Sequence, residues 1–302
     1  MIFDLVRDFF KANIPITEIQ FRGHLIIIVL ETEPDNLEVL QAVPKSIANC
    51  NCFYLFESEI ERPVKLSAQQ LKQITLAATD KAAIDDTQSP TLRPGLVLGS
   101  TKTTQGEEFR TSSGVLVQDT GGHRYMTDAS HGFPEGGMVY HPTASGLEIG
   151  QSIVELTHTN IALVKLKDGI QFLNEPFKNT IAPRDPFKLD NFIRAGETNI
   201  GYDIFLDSPF SGVIQGSRLA HSSVRIPSDD PHGPTVWIRC HLVYLGQDSA
   251  RDVVGGVCGS AIWDKDHRVL GFFRYAHTSG MFKYHCSIIA ADHLRDRGYA
   301  VV

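Results

Sequence analysis

From about residue 96 onward, the chain never sustains an apolar pattern longer than one short strand. Runs such as Ser113–Gln118, His123–Thr127, Gln151–Leu156, Ile161–Lys165, Thr235–Leu245, Ala261–Trp263, Val269–Tyr275 and Phe282–Ile289 alternate with clusters of Gly, Pro, Asp and Ser. Strands recurring this often, with few helical patterns between them, bury their inward faces by forming an all-β barrel or sandwich. Ala290–Arg297, ending at Gly298, reads as one closing helix.

The first 95 residues have a different texture. Ile2, Leu5, Val6, Phe9 and Phe10 recur at helical spacing, which predicts an amphipathic first helix. His24–Glu31 and Cys52–Phe56 read as strands, and Asp35–Gln41 as a short helix. Ser67–Gln70 has a capping-box pattern ahead of Leu71 and Ile74, so a further helix is expected there. Residues 1–78 are therefore expected to form a small α/β N-terminal domain, and 79–95, polar with two prolines and a glycine, a linker.

Net charge is −7, with 35 acidic and 28 basic residues and no basic run. That argues against nucleic acid as a partner, since phosphate binding draws on clustered Lys and Arg. The longest purely aliphatic run, Leu25–Leu30, is far short of the roughly 20 residues that span a bilayer. Asp4, Arg7 and Asp8 interrupt any signal-peptide core, so the expectation is an intracellular, cytoplasmic protein without membrane contact. Five cysteines then read as free thiols. No His or Cys pairing supports a metal site, and nothing implies a cofactor.

Three segments could carry chemistry. Tyr125–Phe133 (YMTDASHGF) runs a strand into a small-residue turn presenting His131. Thr159–Leu166 (TNIALVKL) sets Asn160 at the mouth of an apolar strand. Gly255–Asp264 (GGVCGSAIWD) flanks Cys258 with glycines, which let the backbone turn tightly enough to aim amide N–H groups into one spot. The amides of Gly256 and Cys258 could there hold an oxyanion, each such donor being worth roughly 3–4 kcal/mol in a transition state. The plainer readings are a strand-end histidine, a buried structural thiol and an asparagine capping a turn.

Gly256–Ala261 (GVCGSA) resembles the GDSGGP and GxSGSP motifs of trypsin-like serine peptidases and, with Cys at the third position, the G-x-C-G motif of the chymotrypsin-like cysteine proteases of picornaviruses. TDAS before His131 resembles the TAAH segment of that family, and Asn160–Leu163 its D-[IL]-A-L segment. The order histidine, acid, nucleophile is the family's. The resemblance covers about residues 96–302 and implies a mainly β, double six-stranded barrel, with the first barrel over about 96–185 and the second over about 186–302. It implies an endopeptidase in which Cys258 attacks, His131 carries the proton, Asn160 orients His131, and a peptide or protein substrate lies as an added strand along Gly271, Phe272, Phe273, Arg274 and Tyr275.

Several departures bear on this. Asn160 replaces an aspartate, an exchange that costs a serine peptidase roughly 10⁴-fold through the wrong histidine tautomer. A thiolate–imidazolium pair, formed when a neighbouring imidazolium lowers the thiol pKa, depends less on a charged third member. Val257 stands where secreted trypsins carry the aspartate that pairs with a newly cut N-terminus, so trypsin-style activation is not expected. Phe273 falls where glutamyl endopeptidases carry a substrate-reading histidine. Asp128 and His158 lie near the motifs without a family role. The alternatives are a pseudopeptidase that keeps the fold as a protein-binding module, and a sensor or effector module docking to a partner through residues 1–78.

Overall fold

The computed structural model describes residues 2–10, 14–33, 41, 43–60, 62, 85–100, 108–133, 137–156, 158–177, 186–210, 212–226, 235–246, 256–277 and 279–302. The helices expected at Asp35–Gln41, Gln41 apart, and from Ser67 onward lie outside these residues.

Helix α1 (Ile2–Phe10) forms where the apolar spacing predicts it, and it buries Phe3, Val6 and Phe10. Strands β1 (Ile16–Phe21), β2 (Leu25–Leu30), β3 (Ser46–Ile47) and β4 (Cys50–Phe56) follow, then the single turn α2 (Glu57–Ile60). β2 lies between antiparallel β1 and parallel β4. Its LIIIVL run is apolar throughout because both faces are covered. Ile26, Ile28 and Leu30 pack with α1, while Ile27 and Val29 pack with Leu55, Ala220 and Leu242.

The next strands are β5 (Thr91–Leu92), β6 (Val97–Ser100), β7 (Arg110–Ser112), β8 (Leu116–Gln118), β9 (Arg124–Ala129), β10 (Met138–His141), β11 (Leu147–Leu156), β12 (Ile161–Leu166) and β13 (Gln171–Phe172). β5, inside the expected linker, pairs in parallel with β13. The others curl into an eight-stranded sheet in the order β21-β8-β9-β12-β11-β10-β6-β7, around a core that includes Leu98, Met126, Ile149 and Val164. β21 (Ala300–Val301) is the end of the chain, which crosses back from the second half to pair with β8.

The second half comprises β14 (Asn191–Phe192), β15 (Asp203–Ser208), β16 (Gly212–Ile226), β17 (Val236–Leu245), β18 (Ala261–Asp264), β19 (Arg268–Ala276), β20 (His285–Ala290) and the short helix α3 (Asp292–Arg295). The order β15-β18-β19-β20-β17-β16 closes on itself through β15–β16 pairing, giving a six-stranded barrel. The architecture is thus a mainly β double barrel, as expected. Its first half is a curled sheet of eight strands whose end strands, β21 and β7, are not paired to each other. A shared core joins the halves, with Val115, Val117 and Ile161 from one side and Trp263, Phe272 and Leu294 from the other.

The N-terminal residues do not stand apart from this. β16 is 15 residues long. Its first part pairs with β15, and its outer part, through His221–Val224, pairs with β1. β1-β2-β4-β3 therefore extends the sheet of the second barrel to eleven strands.

Candidate functional site

His131 sits in a 3-10 turn, Ser130–Gly132, directly after β9, and is 3% exposed. Asn160 ends the turn into β12 with φ of 61°, a left-handed conformation that asparagine tolerates. The pairing of Ile161 with Ala129 brings these two turns side by side. The Ser130 N–H donates to the Asn160 backbone carbonyl at 3.1 Å. Asn160 Oδ1 then accepts from the His131 backbone N–H at 3.1 Å, from Ser130 Oγ at 3.1 Å and from His131 Nδ1 at 2.8 Å.

This convergence assigns the tautomer. A backbone N–H can only donate, so the atom facing it must be the amide oxygen. The ring nitrogen meeting that same oxygen must carry hydrogen. A neutral His131 therefore holds its proton on Nδ1 and keeps a lone pair on Nε2, the form a general base needs. The wrong-tautomer penalty attached to asparagine at this position arises when the amide NH₂ faces the ring, and here two other donors hold the oxygen there.

The Cys258 loop is shaped by glycines at the two positions flanking Val257 and Cys258. Gly256 has φ of +95°, and a Cβ there would meet the Phe210 ring at 2.7 Å. Gly259 has φ of +91°, and a Cβ there would meet Asp128 Oδ1 and the Ser112 carbonyl at 2.6 Å. No other residue fits either site without displacing its neighbours. The loop is tied down by Ser260 N–H to the Val257 carbonyl (3.0 Å) and by Gly259 N–H to the Phe273 carbonyl (3.0 Å). Ser112 donates its N–H to the Cys258 carbonyl and its hydroxyl to the Gly256 carbonyl, each at 2.9 Å. The fold thus lays the loop of the second barrel against the ends of β7 and β9, the strand that delivers His131. Among the described residues, neither the Gly256 nor the Cys258 N–H donates to a backbone carbonyl. Val257 is wholly buried in the core of the second barrel.

The thiol itself is not preset as an anion. Burial pushes the Cys258 pKa up, the nearby Asp128 carboxyl pushes it further, and the residue's own amide offsets part of this, leaving it at about 12. The S–H donates to the Arg274 carbonyl at 3.3 Å. Burial and the Asp128 carboxyl both disfavour the thiolate half of the thiolate–imidazolium pair expected from sequence.

Asp128 carried no role in the motif comparison, yet the fold sets it under the loop. It is 2% exposed; its Oδ1 accepts the Ala129 N–H at 2.6 Å and its Oδ2 the Thr111 hydroxyl at 3.2 Å. Burial holds its carboxyl well above the usual range, against these hydrogen bonds. The available signal was an acid in an otherwise small and apolar strand end. His158 lies exposed on the turn before Asn160.

Of the expected substrate edge Gly271–Tyr275, the first residues are paired on both sides. Gly271 and Phe272 pair with β20 on one side and with Ile262 and Ala261 of β18 on the other. Phe273 exchanges hydrogen bonds with Gly259 and Ser260. Beyond it, Arg274, Tyr275 and Ala276 have no β18 partner, because β18 begins only at Ala261, after the Cys258 loop. The Arg274 guanidinium is buried over the Tyr275 ring at 5.6 Å, so its backbone, not its charge, faces the loop.

No protein-family model and no curated protein sequence matches the chain. Solved structures do. Cellulomonas bogoriensis chymotrypsin aligns over 70% of this chain and 98% of its own at 15% identity, with a TM-score of 0.50. Thermobifida fusca protease A aligns over 70% and 98% at 13% identity, with a TM-score of 0.50. A glutamic acid specific serine protease that uses a histidine triad in substrate binding aligns over 70% and 100% at 17% identity, with a TM-score of 0.51. At such identities the likeness is one of fold: the chain has a chymotrypsin-like double barrel.

Proposed function

We propose that the chain is an endopeptidase with Cys258 as nucleophile, His131 as general base and acid, and Asn160 as the residue that orients His131. The observation that carries this reading is the three-donor convergence on Asn160 Oδ1, which leaves His131 Nε2 as the basic nitrogen. The His131 backbone N–H, which can only donate, fixes the orientation of that amide. The neighbours' shared fold, all peptidases by name, supports the same class of activity.

With the thiol neutral at rest, proton transfer accompanies attack. The sulfur bonds to the substrate carbonyl carbon as its proton passes to His131 Nε2, and the carbonyl oxygen becomes an oxyanion facing the amides of Gly256 and Cys258. The imidazolium returns the proton to the leaving amine as the C–N bond breaks. Water then hydrolyses the thioester through the same base. A peptide would lie as an added strand on Arg274–Ala276. The test compares wild type and Cys258→Ala on a peptide library and with a thiol-directed probe. Cleavage and selective labelling of Cys258, both lost in the variant, are expected; their absence from wild type refutes the enzyme.

One observation favours a second reading, a pseudopeptidase retained as a protein-binding module: a thiol pushed up to about 12 is a poor nucleophile at neutral pH. That reading expects Cys258 to be alkylated no faster than Cys240, whose thiol burial pushes up to about 11, and partner binding to survive His131→Ala.

A further inference from the structure

A cavity of about 560 Å³ opens away from the Cys258 loop, where α1 and β1 meet β16, β17 and the segment Arg194–Ile200. Its volume falls within the range of sites that hold small organic ligands. Ile2, Phe3, Phe21 and Ile200 supply apolar wall, and Arg218 and His221 of β16 supply the polar end.

Arg218 is the unusual member. The β16–β17 register slips between Arg218 and Ala220, a bulge of the kind that re-aims a side chain. The residue is 1% exposed. Its Nε donates to the Asn199 carbonyl at 3.1 Å and its Nη2 to the Thr198 carbonyl. Nη1 is buried and has no hydrogen-bond partner among the described residues. No carboxylate among the described residues neutralises it, and burial lowers its pKa to about 10. The acids lining the cavity are committed elsewhere: Glu197 lies 3.8 Å from Arg194, while Asp292 accepts the Ala195 N–H at 3.1 Å and lies 3.9 Å from Arg239. Nearby His241, its ring 5.2 Å from that of His221, is buried with neither ring nitrogen hydrogen-bonded to a described residue. An uncompensated buried guanidinium is costly to fold around unless something anionic completes it.

We propose that this cavity binds a small molecule with one carboxylate and an apolar body, the carboxylate meeting Arg218 Nη1 and the apolar part lying against Ile2, Phe3, Phe21 and Ile200. A ligand so placed would bridge the N-terminal strands and the second barrel. The site is independent of the peptidase reading and survives its failure.

The test titrates the full chain with decanoate below its micelle concentration, alongside decanol and inorganic phosphate, by calorimetry and thermal shift. Expected is saturable one-to-one binding of decanoate, at least 10-fold tighter than decanol or phosphate, weakened at least 10-fold by Arg218→Met. Should that variant fail to fold, Ile200→Trp, at a residue 45% exposed on the cavity wall, should narrow the cavity and weaken decanoate by a similar factor. No decanoate binding, equal binding of decanol, equal binding of phosphate, or binding unchanged in the variant that folds would each overturn the proposal.

Discussion

A neutral amide at position 160 orients a histidine here by geometry rather than charge, because two donors besides the ring hold its oxygen in place. Removing that oxygen should free the ring. Asn160→Ala is expected to lower kcat/KM by about 10²-fold or more, the scale of general-base catalysis, with the Cys258 labelling site still present. Asn160→Asp keeps the acceptor and adds charge, which favours the imidazolium; the acidic limb of the pH–rate profile should move to higher pH. If both variants hydrolyse peptides as wild type does, Asn160 is only a turn residue. Asp128 acts on the partner group. Its carboxyl is the second cause, after burial, of the raised thiol pKa, so Asp128→Asn should shift the pH midpoint of Cys258 alkylation downward. An unmoved midpoint would assign the elevation to burial alone.

Among the elements, β16 decides how the chain is organised. Its inner part closes a barrel and its outer part carries β1, so the N-terminal strands and the barrel share one ladder. The junction is fastened by buried charge. Arg62 Nη2 contacts Glu18 Oε2, its Nε contacts Glu57 Oε1 at 2.6 Å, and its Nη1 lies 3.4 Å from the Tyr275 hydroxyl on the candidate substrate edge. Burial would raise the Glu18 pKa, but Arg62 and the Ser222 hydroxyl outweigh it and hold the carboxylate below its usual value. Breaking such a pair strands one buried charge, at about 3–5 kcal/mol. Arg62→Met should therefore lower unfolding free energy by that order in denaturant titrations. The double variant Arg62→Met with Glu18→Gln should recover a large part of the loss, and equal losses in both would refute the coupling. The first helix buries Phe3, Val6 and Phe10 within the chain and leaves Leu5 and Phe9 exposed.

At the scale of the whole molecule, stability should depend on keeping histidines neutral. Burial lowers the pKa of His277 and of His293 to about 4, against about 6.5 unfolded. Between those values the unfolded chain binds protons that the native chain refuses, so this contribution is complete above pH 6.5 and is lost as pH falls toward 4. Each group sets a slope of up to about 1.4 kcal/mol per pH unit. Asp128, whose carboxyl pKa burial raises, works in the opposite sense, its contribution being present at low pH and lost as pH rises through that raised pKa. The denaturation midpoint should fall between pH 6.5 and 4.5, less steeply in His293→Gln; a flat wild-type curve would mean these rings are not buried neutral. The strand succession after residue 96, the helix at Ile2–Phe10 and the segments around His131, Asn160 and Cys258 were legible from sequence, because local apolar period and glycine placement are properties of neighbouring residues. β16 was not, because the buried polar residues Arg218, Ser222 and Ser223 interrupt its apolar residues and hide the alternation. Only the tertiary structure settled that Asn160 presents its oxygen to His131, that Asp128 lies against the Cys258 loop, that β18 pairing reaches no further along β19 than Phe272 and that the N-terminal strands join the second barrel. Each of these depends on which distant groups share a hydrogen bond or a desolvated space, and residue spacing along a chain does not encode that.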